Sequence, residues 1–337
     1  MPPRRPCSAT SFLPGFEPVY DGPHAARFAE RQLVPPEKSA EVKAEQLQPA
    51  PTAPTHAAQL EARRGPKQAA RDILAAIRTL KNIESGSRIA TPEERAALSR
   101  FGGFGPVAKE IFPDPRTKQY KPGWREFGED LKDLLSPDEY ESAKRTTFSQ
   151  FFTSPLVMDA MHDALEGLGV PKGSVVLEPG CGKGAFMDRP GYRYVGVELD
   201  SLSGRIAKAL HPQADIRIES FADSKLPPVD AVIGNVPFAD VKLDYRGRKL
   251  SLHDFFVMKS VDALKPGGVL ALVTSHYTLD KQNAGMRIEL GEKADFLGAI
   301  RLPCDAFKAE GTEVTTDIVF LRKRAPGQEA IHADPEW

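Results

Sequence analysis

Past residue 170 the chain alternates short β-branched runs with stretches of helical periodicity. SVVLE (174–178), YRYVGVE (192–198), ADIRIE (214–219), DAVIG (230–234) and GVLALVTS (268–275) read as strands. Their spacing predicts helical crossovers and a parallel sheet. Two closing runs, FLGAIRL (296–302) and TDIVFLRK (316–323), have no long helix between them, which predicts an antiparallel edge. The expected fold is α/β, with a mostly parallel seven-stranded sheet. Upstream the period is helical: QAARDILAAIRTLKNI places Ile73, Leu74, Ile77 and Leu80 on one face. TPEERAALSRF opens with a threonine cap, and SPDEYESAKRTT is capped by Ser136. Between them FGGFG (101–105) reads as a tight backbone bend, and GWREFGEDLKDLL resumes the helical pattern.

The first 66 residues differ in kind, since they hold twelve of the 30 prolines among alanine, glutamine and glutamate. Proline removes backbone donors and this composition offers little to bury, so a disordered tail is expected over 1–66. Helices follow over 67–147, a catalytic domain over 148–325, and a C-terminal tail over 326–337. Net charge is −1 and the isoelectric point about 6.7, so a nucleic-acid partner would need a local basic patch. Cys7, Cys181 and Cys304 lack metal-ligand spacing, and neither a signal sequence nor a long apolar span occurs. A reduced, cytoplasmic protein without resident metal or membrane contact is expected.

Candidate chemistry begins where VVL runs into EPGCGKG. Glycines after a strand let the backbone turn sharply and a ligand approach closely. Here Glu178, Gly180, Gly182 and Gly184 are spaced by two, unlike the GxGxxG of a pyrophosphate site. Twenty residues after Glu178, Glu198 ends the second strand, where its carboxylate can accept from two ribose hydroxyls. Glu178 could face an ammonium group. Together these features point to an adenosine-containing cation, S-adenosylmethionine.

LEPGCGKGAF, GVELD and GNVPF, in that order, resemble the cofactor and catalytic motifs of N6-adenine DNA methyltransferases. FFTSP (151–155) ahead of the glycine loop, with LHDFF, TLDKQ, AIRLP and GTEVTTDIVFL, resembles the methylase region of plasmid- and phage-borne methyltransferase-helicase proteins over about 95–325. The resemblance implies a Rossmann-like S-adenosylmethionine-dependent methyltransferase fold. It also implies Thr153 and Pro155 near the methionine moiety, Glu178 and Gly180 beneath it with Gly182 in the same loop, Glu198 at the ribose, and Phe221 on the adenine. Asn235 would border both cofactor and substrate. Many relatives carry an aspartate before that aromatic; this chain has Ser220.

An exocyclic purine amine is a poor nucleophile, because its lone pair is delocalised into the ring. Acceptors at the Asn235 side chain and the Val236 carbonyl would favour a pyramidal nitrogen. Pro237 restricts Val236 to extended geometry, and Phe238 offers a stacking face for an adenine extruded from a duplex. Most relatives have proline at position 236, but a backbone carbonyl serves from either residue. Cys304 lies beyond the fifth strand, too late for the nucleophile of cytosine methylation.

The following KLDYRGRKLSLHDFF reads as a loop in which Lys242, Arg246, Arg248 and Lys249 alternate with Tyr245 to meet phosphates. No catalytic role is assigned to His253. Neither a separate recognition domain nor a P-loop is visible, so sequence choice is expected from the helices, the 239–252 loop or a separate recognition or helicase subunit. The leading expectation is adenine-N6 methylation of DNA, site-specific or of low specificity. RNA or protein-glutamine methylation, and a non-catalytic cofactor-binding module of a mobile element, stay open.

Overall fold

The computed structural model describes residues 65–146, 153–304, 306 and 314–331. The tail read over 1–66, apart from its last two residues, lies outside them, as do Phe151 and Phe152 of FFTSP and residues 332–337.

Helix α1 (Pro66–Ser85) buries Ile73, Leu74, Ile77 and Leu80 and starts with proline, whose missing N–H costs nothing in a first turn. In α2 (Pro92–Ser99) a reciprocal capping box joins Thr91 and Glu94. A short α3 (Ala108–Ile111) and α4 (Arg125–Leu134) lead to α5 (Pro137–Thr146), where the N–H of Ser136 donates to Glu139 Oε2 at 2.7 Å. These helices enclose a core of their own, which extends onto Leu202, Ile206 and Leu210 of α7 (Ser201–Leu210).

The FGGFG segment has a role beyond its bend. Phe101 and Phe104 are both fully buried and meet edge to face at 5.9 Å. Phe104→Ala is expected to cost about 3–5 kcal/mol, as for other large aromatic truncations. Urea unfolding checks this, and a loss under about 1 kcal/mol would contradict the packing.

The sheet contains β1 (Val175–Pro179), β2 (Arg193–Glu198), β3 (Asp215–Ile218), β4 (Val229–Asn235), β7 (Leu264–Ser275), β8 (Ala294–Arg301) and β9 (Thr316–Lys323). Its order is β3-β2-β1-β4-β7-β9-β8. All strands run parallel except β9, which lies antiparallel between β7 and β8. This is the Rossmann-like methyltransferase arrangement, seven strands with one reversed near the edge. The last strand among the described residues, β9, enters between two earlier ones, an insertion the linear pattern did not reveal.

Helix α6 (Pro155–Gly167) and α8 (Leu252–Ala263) each border one of two separate apolar clusters on the sheet. Burial on both faces explains the continuous apolar runs of β4 and β7. Short helices α9 (Tyr277–Asp280) and α10 (Gly285–Lys293) follow β7. Residues 326–331 continue from β9, and the N–H of Ile331 donates to Asp295 Oδ1 at 3.2 Å.

One segment read as a loop is a hairpin. Strands β5 (Lys242–Tyr245) and β6 (Arg248–Ser251) pair antiparallel about Arg246-Gly247, both with positive φ. That two-residue turn suits a hairpin. Its signal was an arginine-glycine pair hidden in a run of charge.

Candidate functional site at the carboxyl ends of β1, β2 and β4

Strand order reverses between β1 and β4, so the chain leaves these neighbours in opposite directions and opens a crevice at their carboxyl ends. Glu178 and Asn235 sit on either side of it. Pairing of Leu177 with Val232 sets their level, and a side chain at Gly234 would meet Glu178 Cγ at 3.5 Å.

The glycine loop is tied to the end of β2. Both Gly180 and Cys181 donate their N–H to Val197 O, at 2.8 and 3.1 Å. Gly180, Gly182 and Gly184 have φ of +69°, +54° and +80°, a region that disfavours any side chain. A Cβ on Gly180 would also stand 3.5 Å from Pro237 Cδ and from Phe256 Cε1. The loop thus lies directly against GNVPF.

Two acids define the site's charge. Glu178 is only 4% exposed, and its Oε2 has no hydrogen-bond partner among the described residues. Burial above all, then the charge of Glu198, holds its carboxyl well above the usual carboxylate range. Glu198 accepts from the N–H of Gly182 at 2.7 Å and of Asp200 at 2.8 Å. Burial nevertheless outweighs these donors and pushes it up to about 7. Asp200 in turn caps α7 through the N–H and hydroxyl of Ser203, and receives the Ser142 hydroxyl at 3.1 Å. The helical layer is thereby joined to the carboxyl end of β2.

A carboxyl raised in the folded state takes up a proton on folding between its ordinary 4.5 and about 7. Its contribution to stability is therefore intact below pH 4.5 and declines by roughly 3 kcal/mol as pH climbs to about 7. Unfolding free energies of wild type and Glu198→Gln at about pH 4.5 and about pH 8 test this. Wild type should lose ground to the variant as pH rises, and a pH-independent difference would overturn the assignment.

The other expected site residues fall as follows. Thr153 is buried just before α6, its Oγ1 without a partner among the described residues, and Pro155 is the first residue of that helix. Val236 is buried in the core and donates its N–H to Val273 O at 3.1 Å. Phe238 is half-buried between the clusters on the two faces of the sheet. Phe221 is almost wholly enclosed, 4.9 Å from the Phe256 ring and beneath Lys259. Sequence reasoning gave no role to Phe256, which stands between Phe221 and Gly180, or to Leu199. The latter is 72% exposed between Glu198 and Asp200, and an apolar residue within VELD was its only signal.

Three of the hairpin's cations are engaged locally, Lys249 with Asp244 at 3.9 Å. Arg246 pairs with Asp262 at 2.8 Å and Arg248 with Glu289, while Tyr245 is buried with its hydroxyl on Asp262. His253 lies 3.2 Å from the Ser251 hydroxyl, beside a buried Asp254 that also holds Lys281 at 3.2 Å. Cys304 lies in a turn beyond β8. No helix among the described residues is long and apolar enough to cross a membrane.

Fold and crevice define a Rossmann-like protein of methyltransferase topology, with paired acids and an amide-bearing strand end at its switch point. No protein-family model matches the chain. A stretch of 188 residues is 30% identical to "defense against restriction protein B" of Escherichia phage P1. That match takes in 52% of this chain but spans only 8% of the phage protein. A protein from Listeria monocytogenes described as a class I S-adenosylmethionine-dependent methyltransferase superposes with a TM-score of 0.47 at 15% identity, over 78% of this chain and 90% of its own. The type I restriction-modification methyltransferase subunit of Streptococcus thermophilus gives 0.46 at 16%, over 75% and 66%. With TM-scores below one half neither superposition adds weight, and the fold rests on the chain's own strand order.

Proposed function

We propose that this chain is an S-adenosylmethionine-dependent methyltransferase acting on the exocyclic N6 amine of adenine in DNA. The observation that carries the proposal is the unpartnered Glu178 oxygen, buried at the end of β1 where the glycine loop begins, with β4, which ends in Asn235, paired alongside. An orphaned buried acid calls for a cation, because its ionised form is too costly to bury alone. The methionine ammonium fits that need. Thr153, with its own orphaned hydroxyl oxygen, and Pro155 would border the same moiety. Glu198 would accept the ribose hydroxyls, and the exposed Leu199 would give the base an apolar wall. Gly180 and Gly182 admit the ligand to the backbone. Phe221 would act from behind, through Phe256.

S-adenosylmethionine supplies an electrophilic methyl group on a sulfonium, so the protein needs no strong base. Its task is to orient the amine. The Asn235 carboxamide oxygen and Val236 carbonyl would accept hydrogen bonds from the two amine N–H groups, turning the nitrogen lone pair out of the ring plane. The methyl–sulfur bond would break as the methyl–nitrogen bond forms, leaving S-adenosylhomocysteine, and the methylated nitrogen would give up its surplus proton to solvent. Phe238 would stack on the extruded adenine and offset part of the few kcal/mol of lost base stacking. A phage relative named for defence against restriction supports DNA as the substrate. A mobile-element setting and a separate recognition or helicase partner belong to the same proposal.

The experiment is transfer of labelled methyl to unmethylated DNA, with RNA and protein acceptors as parallel arms and Asn235→Ala as control. Label in N6-methyladenine supports the reading. Label confined to cytosine, RNA or protein, or cofactor binding without transfer to any acceptor, sinks it.

A further inference from the structure

An exposed aromatic side chain that the proposed chemistry leaves unused is Tyr277, four residues past the strand position in register with the proposed catalytic amide. Asn235 is in register with Val273, and Val273 O receives the Val236 N–H, so the end of β7 runs beside GNVPF. Strand β7 stops at Ser275 and the chain turns into α9 at the same end of the sheet. Tyr277 is 54% exposed there, the kind of ring that folding alone would bury.

This ring is held in place. It rests on His276 with centroids 4.0 Å apart, and His276 is fixed through Nδ1 to Thr315 O at 3.1 Å. The Tyr277 N–H donates to the Ser275 hydroxyl at 3.3 Å. The short helix is clamped at its far end, where Asp280 meets Arg301 at 2.8 Å and Lys281 meets Asp254 at 3.2 Å. A Thr274–Thr278 hydroxyl contact at 2.8 Å anchors it to β7. An exposed aromatic fixed on several sides loses little entropy when something stacks on it.

A cation is tied to the same helix through a run of contacts. The Asp254 that holds Lys281 also adjoins His253, which touches Ser251 at 3.2 Å, and Ser251 is the register partner of Lys242 at the base of the hairpin. Lys242 is exposed and in no ion pair among the described residues, unlike Arg246 and Arg248 of the same hairpin. Ring and charge are therefore linked through Asp254 and the base of the hairpin that follows GNVPF in the chain.

We infer that Tyr277 and Lys242 grip the nucleotide next to the reacting one, the ring stacking on its base and the ammonium meeting its phosphate. This rests on the DNA-methyltransferase reading and extends it: Phe238 serves the reacting adenine, while the Tyr277 edge holds the strand from which it is extruded. Stacking on an exposed ring is tolerant of base identity, so this grip adds affinity without dictating sequence.

The test is binding of a fluorescein-labelled, adenine-containing oligonucleotide to the full chain by anisotropy, with steady-state methyl transfer on the same DNA. Tyr277→Ala should weaken binding about 5- to 100-fold and raise the KM for DNA in parallel, with kcat and S-adenosylmethionine affinity within about twofold. Tyr277→Phe should behave as wild type. Lys242→Ala should lower the slope of log affinity against log salt by about one. Tyr277→Ala binding within about twofold of wild type, or no binding of DNA by wild type, overturns the inference. If wild type binds through Tyr277 but transfers nothing, the grip stands and the catalytic reading fails. If wild type methylates adenine and Tyr277→Ala does so equally well at low DNA, the reverse holds.

Discussion

Replacing Asn235 by alanine is expected to slow methyl transfer by about 10²–10³-fold, while S-adenosylmethionine affinity stays within a few-fold of wild type. The size follows from removing one preorganised polar group that acts where charge develops in the transition state. Asn235 ends a strand flanked by β1 on one side and β7 on the other, so its backbone is held whether or not the amide is present. The cofactor's charged and ribose groups would be held by Glu178 and Glu198, which the substitution leaves in place. Single-turnover transfer of labelled methyl, with calorimetry for the cofactor, separates the two effects. A rate within threefold of wild type would remove Asn235 from the chemistry.

Replacing Glu198 by alanine is expected to weaken S-adenosylmethionine binding by at least about 10²-fold. Hydrogen bonds to an ionised group contribute about 1.5–3 kcal/mol each, and this carboxylate would lose both ribose hydroxyls. The variant would also strand the N–H groups of Gly182 and Asp200, which close the loop against the end of β2. Because burial pushes Glu198 up to about 7, wild-type affinity should itself strengthen as pH rises toward that value, the ionised form being the better acceptor. Glu198→Gln should flatten that dependence. Calorimetric titrations across about pH 6–8 check both outcomes, and an unchanged affinity for Glu198→Ala would move the ribose elsewhere.

The placement of Glu178, Glu198 and Asn235 was legible because each ends an apolar run, and in a parallel sheet the ends of such runs gather at one edge. Glycine spacing disclosed the loop for a related reason: positive φ excludes most other residues. The hairpin escaped notice because neither of its four-residue strands is apolar, and period-two alternation is faint among lysines and arginines. Arg246 and Arg248 looked available to phosphates until Asp262 and Glu289, distant in sequence, proved to lie beside them. Phe221 was expected against the cofactor base, and the structure sets Phe256 and Lys259 upon its ring.

By itself the sequence determined the helices and the seven strands of the main sheet, their order and the chemical groups at strand ends, because periodicity and backbone permissiveness are local properties. Tertiary structure alone decided the entry of β9 between β7 and β8, the upward push on the Glu178 carboxyl, and the company of Tyr277. Each of these depends on desolvation or on contacts between residues far apart in the chain, and a carboxyl's charge is set by what surrounds it in space.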